Sequence, residues 1–227
     1  MSYAARVELL YTAHVPAGSG PFPTIIALHG WGASAHDLVG LAPIFDGGRS
    51  LVLCPQGPLA FQSGPGQVGY GWFPLKSGAP TDPAEVRKGV DALQRFIDEA
   101  FAVHPVDPRK VAILGFSQGG VMAYDLALRN PAAYAGLVAL SSWLPDDMAA
   151  SIPANSELAN LQTLVLHGTK DPMISIDLAR ESREALTKLG VPASYHEYEM
   201  GHEISPDALQ QLIGWLDEKV VNPVRIA

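Results

Sequence analysis

The segment Gly115-Phe116-Ser117-Gln118-Gly119 has the form G-x-S-x-G. With 22 Gly and 15 Ser in 227 residues, chance supplies about 0.14 such matches per chain, so the motif alone carries little. Its placement carries more. The apolar run Lys110–Leu114 precedes it, and a helical stripe of Val121, Met122, Leu126 and Leu128 follows. A serine between a strand and a helix occupies a strained turn that lifts its hydroxyl above the sheet. The helix then points its free N–H groups and positive dipole end at any negative charge forming there. Gly115 and Gly119 are the absent side chains that let strand and helix approach. Ser117 is therefore a candidate nucleophile; the alternative is an ordinary N-cap serine in a glycine-rich turn.

A serine hydroxyl needs a base within hydrogen-bond reach, and seven histidines compete for the part. His202, in Met200-Gly201-His202-Glu203, falls on a loop between the last strand candidate and the last helix. That places it at the C-terminal edge of a parallel sheet, where Ser117 also belongs. His167 ends a strand too, but the turn after it at Gly168 points either to a supporting role behind the site or to a backbone-bonding one. His14, His36, His104 and His196 fall in a first strand, at helix starts or inside a strand, and are read as structural. The base in turn needs a carboxylate to fix its tautomer and stabilise the imidazolium. Asp171 follows the strand Thr163–Leu166 at the same edge, whereas Asp177 lies in the first turn of a helix beginning near Ser175. Ser117, Asp171 and His202 thus run in the order nucleophile, acid, base at three strand ends, which is far more specific than any one of them.

Acyl transfer also requires donors aimed at a tetrahedral oxyanion. His29-Gly30-Trp31-Gly32 follows the strand Thr24–Leu28 and precedes an expected helix capped by Ser34, with Asp37 at its third position. Such a glycine-flanked turn can aim a backbone N–H at Ser117, with the N–H of Gln118 as its partner. The alternative is a tight strand-to-helix turn with no ligand.

The elements that must position these residues are legible in the hydropathy pattern. Strand candidates are Arg6–Val15, Thr24–Leu28, Ser50–Cys54, Lys110–Leu114, Gly136–Leu140, Thr163–Leu166 and Ser194–Glu199. Several are continuously apolar, as strands covered on both faces are. Between them, Asp82-Pro83-Ala84-Glu85 opens a helix whose stripe is Val86, Val90, Leu93, Ile97 and Phe101. Ser205-Pro206 opens another, with Leu209, Leu212, Ile213 and Leu216. Strand–helix alternation predicts an α/β fold: a mostly parallel, doubly wound sheet with helices on both faces, as one domain over residues 1–227.

Two stretches break the alternation. Residues 55–80 hold eleven Gly or Pro among 26 and include Phe61, Tyr70, Trp72 and Phe73. Either this excursion docks its aromatics onto the core, or it forms an apolar wall over the site, with Trp72, Phe73 and Trp31 as candidate substrate contacts. Residues 142–162 are a weaker case of the same irregularity.

Composition narrows the function classes. Hydrophobic residues make up 48% and charged residues 17%, which excludes a disordered spacer. A formal charge of −8 without a basic cluster excludes a nucleic-acid partner. The lone Cys54 forms no internal disulfide, and no C-x-x-C pair offers a zinc site. Met1 to Leu10 lacks the apolar core of a signal peptide and no run reaches the length of a membrane span, so a cytoplasmic protein is expected.

The segments LHGWG at Leu28–Gly32, GFSQGG at Gly115–Gly120, HGTKDPMI at His167–Ile174 and GHEIS at Gly201–Ser205 together resemble the phospholipase/carboxylesterase family of small α/β-hydrolases, which includes acyl-protein thioesterases. The resemblance implies an α/β-hydrolase fold without a large cap domain. It implies a serine hydrolase acting on small-molecule carboxylic esters or thioesters, with the backbone amides of Trp31 and Gln118 as the oxyanion hole. No metal or organic cofactor is needed for that chemistry. Family members are often dimers, which allows a homodimer here. Three features depart from the family: Trp31 stands where Leu is common, Cys54-Pro55-Gln56-Gly57-Pro58 replaces an Asn-Ala-Pro turn, and an Arg is missing before Trp72-Phe73. The expected activity is carboxylesterase action on small to medium acyl esters. The alternatives are a thioesterase or lysophospholipase of longer chains, and a non-catalytic binding protein. Cys54 as a rival nucleophile is disfavoured because the elbow holds Ser117.

Overall fold

A computed structural model describes residues 8–75 and 81–223. In chain order its elements are β1 (Tyr11–His14), β2 (Phe22–Leu28), a 3₁₀ segment (Val39–Gly48), β3 (Leu51–Pro55), β4 (Leu59–Gly64), β5 (Gln67–Gly71), α1 (Pro83–Val103), β6 (Val106–Phe116), α2 (Gln118–Arg129), β7 (Gly136–Leu140), α3 (Asp146–Ser151), β8 (Gln162–Gly168), α4 (Ile176–Lys188), β9 (Ala193–Tyr198) and α5 (Pro206–Leu216). Seven strands form one sheet in the order β1-β3-β2-β6-β7-β8-β9. Only β1 runs antiparallel to its neighbour. The parallel strands therefore end at one edge, and the loops leaving β2, β6, β7, β8 and β9 gather there.

The continuous apolar runs follow from the two-sided cover. Successive strand residues point to opposite faces. Ile26, Leu28, Leu53 and Ile113 join α1 and α2 in one core. Ile25, Ala27, Val52 and Leu114 join Leu38, Phe45 and α5 in the other. The expected caps form: Asp82 accepts from the Ala84 amide at 2.9 Å, and Ser205 accepts from the Ala208 amide at 3.3 Å. No helix among the described residues is long and apolar enough to cross a membrane.

Three expectations needed correction. The first strand begins at Tyr11 rather than Arg6, which lies outside the described residues. The helix expected after Ser34 is a run of turns and then a 3₁₀ segment: Pro43 lacks an amide donor, and Asp46 and Gly47 take positive φ, so an α-helix cannot propagate. Residues 55–75 are not irregular throughout, because β4 and β5 pair as an antiparallel hairpin.

Candidate active site

Ser117 lies between β6 and α2 with φ 52° and ψ −120°, a left-handed conformation costly for any residue but glycine. Its surroundings over-determine it. Its amide donates to the carbonyl of Leu140, its carbonyl accepts from the Ser142 hydroxyl at 2.7 Å, and the Gly120 amide also reaches that carbonyl at 2.9 Å. The glycines of the motif are steric necessities. A Cβ on Gly115 would overlap the backbone of Gly119, and one on Gly119 would overlap the Leu28 carbonyl. Ser117 stands at the end of β6, with 7% of the residue exposed.

Asp171 and His202 leave β8 and β9 at the same edge and meet there. His202 Nδ1 is 2.7 Å from Asp171 Oδ2, and the other carboxylate oxygen accepts from the amides of Met173 at 2.8 Å and Ile174 at 2.9 Å. Burial raises the proton affinity of this carboxyl. The bonds from Ile174, His202 and Met173 outweigh that and hold it below the ordinary carboxylate range. With Nδ1 committed to Asp171, His202 has only Nε2 to offer the nucleophile. The His202 ring packs on Phe116, the residue before Ser117, at 4.9 Å between centroids. Among the described residues no hydrogen bond yet joins Ser117 Oγ to His202; such contacts commonly tighten only around substrate.

His167 takes the backbone role expected of it. Fully buried, it bonds through Nε2 to the Ile174 carbonyl at 2.9 Å, securing the turn that grips Asp171. Asp177 lies in the first turn of α4, away from this cluster.

The turn after β2 presents the other half of the site. Gly30 sits against Ser117, where a Cβ would stand 3.2 Å from the serine Cβ. The backbone N–H of Trp31 has no hydrogen-bond partner among the described residues. The Gln118 N–H, at the first position of α2, has no intrahelical acceptor. Two open donors thus flank Ser117.

Trp72 and Phe73 lie beneath the site rather than on its open face. They are 1% and 0% exposed and belong to the core beside α1 and α2. Trp72 Nε1 donates to the His29 carbonyl at 2.9 Å, so its reach into the site is through the backbone of the turn after β2. Gln118 adds a side-chain function that its motif position did not reveal: it accepts from the Trp72 amide at 2.8 Å and donates to the Phe73 carbonyl at 2.7 Å. Trp31 is half-buried and stacks on Phe61 of β4, with centroids 4.0 Å apart, forming an aromatic wall at the hairpin. Ser141 and Ser142 were also missed. They follow β7 at the same edge as the other site loops, and the topology rule that found His202 also points to them.

The chain matches the Phospholipase/Carboxylesterase family over residues 13–220. It belongs to that family. A probable carboxylesterase, SOBER1-like, from Arabidopsis thaliana is 29% identical over 161 residues, covering 68% of this chain and 61% of that protein. The chain thus spans about three fifths of that plant relative's length. Acyl-protein thioesterase 1 of Gibberella zeae is 28% identical over 225 residues, covering 90% and 94% of the two chains. The crystal structure of esterase PE8 superposes with a TM-score of 0.81 at 26% identity, covering 94% of this chain and all of that one. The fold is that of the α/β-hydrolases. Two of the chain's departures from the family pattern have visible partners: Trp31 has Phe61 as its stacking platform, and Gly57, within the altered turn, donates its amide to His29 Nε2 at 2.9 Å.

Proposed function

We propose that this chain is a serine carboxylesterase acting on small to medium acyl esters through Ser117, His202 and Asp171. The observation that carries the reading is the strained Ser117 turn beside a His202–Asp171 pair bonded at 2.7 Å. A merely structural serine has no reason to hold φ 52° at the edge where that pair is assembled. His202 takes the Ser117 proton as Oγ attacks the ester carbonyl. The amides of Trp31 and Gln118 receive the oxyanion, and His202 then protonates the departing alcohol. Water, activated by the same imidazole, hydrolyses the acyl-enzyme while Asp171 stays ionised. The acidic depression of Asp171 suits that last requirement.

The acyl-protein thioesterase among the relatives favours a second reading, in which the same residues cleave thioesters of long chains. Hydrolysis of p-nitrophenyl esters from two to sixteen carbons separates the two, with wild type run beside Ser117→Ala. A short-chain optimum that falls at least about 10³-fold in the variant is expected. A long-chain optimum moves the reading to the thioesterase. Undiminished turnover by Ser117→Ala removes the serine mechanism.

A further inference from the structure

An open groove of about 240 Å³ is lined by Asp37, Leu38, Leu41, Phe116 and Ile204. On the 3₁₀ segment, Leu41 is half-buried and packs at the edge of the core. Phe116 is the residue before Ser117 and packs at a tilt against the His202 ring, and Ile204 is two residues beyond His202. The groove therefore shares the Phe116 ring with the imidazole and borders the chain just beyond it. No lysine or arginine lines it, and the exposed Asp37 carboxylate stands at its rim.

We propose that this groove receives the alcohol portion of the ester, and that the enzyme selects apolar, non-anionic alcohols. The inference rests on the Ser117–His202 reading above. The direction follows from proton transfer. The leaving oxygen must take its proton from His202, and Nδ1 is held by Asp171, so that oxygen lies within reach of Nε2. The carbon attached to the leaving oxygen then continues past the imidazole, where Phe116 and Ile204 offer an apolar surface. The acyl chain departs from the other side of the tetrahedral carbon, away from the groove. Asp37, on a chain of net charge −8, repels a phosphate or carboxylate carried on the alcohol.

Two ester series on the full chain test this. One lengthens the alcohol of an acetate from methyl to butyl to hexyl; the other lengthens the acyl part of a methyl ester by the same steps. The alcohol series should gain up to about fourfold in kcat/KM per methylene, the factor for a fully buried one. Leu41→Asp should flatten the alcohol series and leave the slope of the acyl series. For a variant at an exposed position, Asp37→Asn should lower the preference for acetylcholine over its uncharged isostere, 3,3-dimethylbutyl acetate, by about threefold. A flat alcohol series in the wild type overturns the proposal, as does a Leu41→Asp effect confined to the acyl series. An Asp37→Asn ratio equal to that of wild type overturns its charge component. Full activity in Ser117→Ala instead overturns the reading on which it rests, so the two failures are distinguishable.

Discussion

The imidazole of His29 grips the carbonyl of Gly30 at 2.7 Å, and the other end of that peptide is the N–H of Trp31. The tautomer is fixed by Gly57, whose amide can only donate: Nε2 must accept at 2.9 Å, so Nδ1 carries the hydrogen. Carbonyl and N–H of a trans peptide point in opposite directions, so holding one aims the other. His29 is thus a positioning residue for the proposed oxyanion donor, although the sequence showed it only as part of a turn.

Replacing His29 with Phe should lower kcat by about 10- to 100-fold with KM little changed, because the oxyanion exists only in the transition state. Outright removal of a donor costs about 10²- to 10³-fold. Steady-state kinetics with a short-chain ester checks this; a rise in KM at constant kcat would mean that His29 shapes ground-state binding instead. The pH dependence has a definite sign. Burial lowers the affinity of His29 for a proton; the Gly30 carbonyl and the Asp37 charge oppose this without reversing it. The unfolded chain therefore binds a proton at His29 before the folded one does. His29 favours folding fully above pH ~6.5, and that contribution declines as the pH falls from there toward the folded value. Denaturation midpoints of wild type should fall over that window, and those of His29→Phe should fall less.

Asp171 accepts three hydrogen bonds and is held below the ordinary carboxylate range. Its carboxylate stays ionised well into mild acid, so its own protonation does not set the acid limb of activity. Asp171→Asn keeps the shape of the site but presents an amide to His202 and misorients its tautomer. A loss of about 10⁴-fold in kcat is expected. The same depression contributes to stability above the unfolded carboxyl value near 3.9, and that contribution is lost as pH falls through the lower folded value. Urea midpoints of wild type and Asp171→Asn should therefore converge in strong acid. A constant gap down to pH 2 would show that the variant's defect is one of packing.

The candidate catalytic residues were legible in the sequence because each follows a strand of one parallel sheet, and that topology sends all such loops to one edge. Ser117, Asp171 and His202 needed no knowledge of side-chain packing. The hairpin was hidden for the opposite reason. Gly69 and Gly71 count among the eleven Gly and Pro that mark this stretch as irregular, yet their absent side chains are what let β5 lie on the turn after β2, where a Cβ on Gly69 would stand 2.7 Å from the Gly32 carbonyl oxygen. Trp72 and Phe73, two aromatics near a catalytic loop, carried no local mark of facing inward; their burial is decided by α1 and α2, elements distant in sequence. The helix misread after Ser34 had a valid start signal, which Pro43 and the positive φ of Asp46 and Gly47 overrode.

Cys54 gives a prediction of inertness. It is 2% exposed in the core opposite α1 and α2, and burial pushes its thiol up to about 12. At pH 8 the thiol is held almost wholly protonated, and it has next to no access to solvent. A disulfide reagent should leave native activity intact and titrate one thiol only after denaturation. Parallel loss of activity and thiol in the native state would place Cys54 in the chemistry after all.

Gly71 should be the most sensitive position in the hairpin. A Cβ there would overlap the six-membered ring of the Trp31 indole and crowd Gln118 Oε1 at 3.1 Å. The Trp31 ring is itself held by its stacking on Phe61. Gly71→Ala must therefore tilt the indole, drag the Trp31 backbone or lift β5, and the Gly32 amide bond to the Tyr70 carbonyl at 2.8 Å transmits any lift to the oxyanion turn. Overpacking of this kind costs about 1–3 kcal/mol. Chemical denaturation should report that loss, with a fall in kcat beside it. Trp31→Ala removes the clashing ring but keeps the amide, so Gly71→Ala should cost much less in that background. A double-mutant cycle on stability measures the coupling, which should be at least about 1 kcal/mol. Additive effects would show that the glycine answers to its backbone conformation and not to the indole.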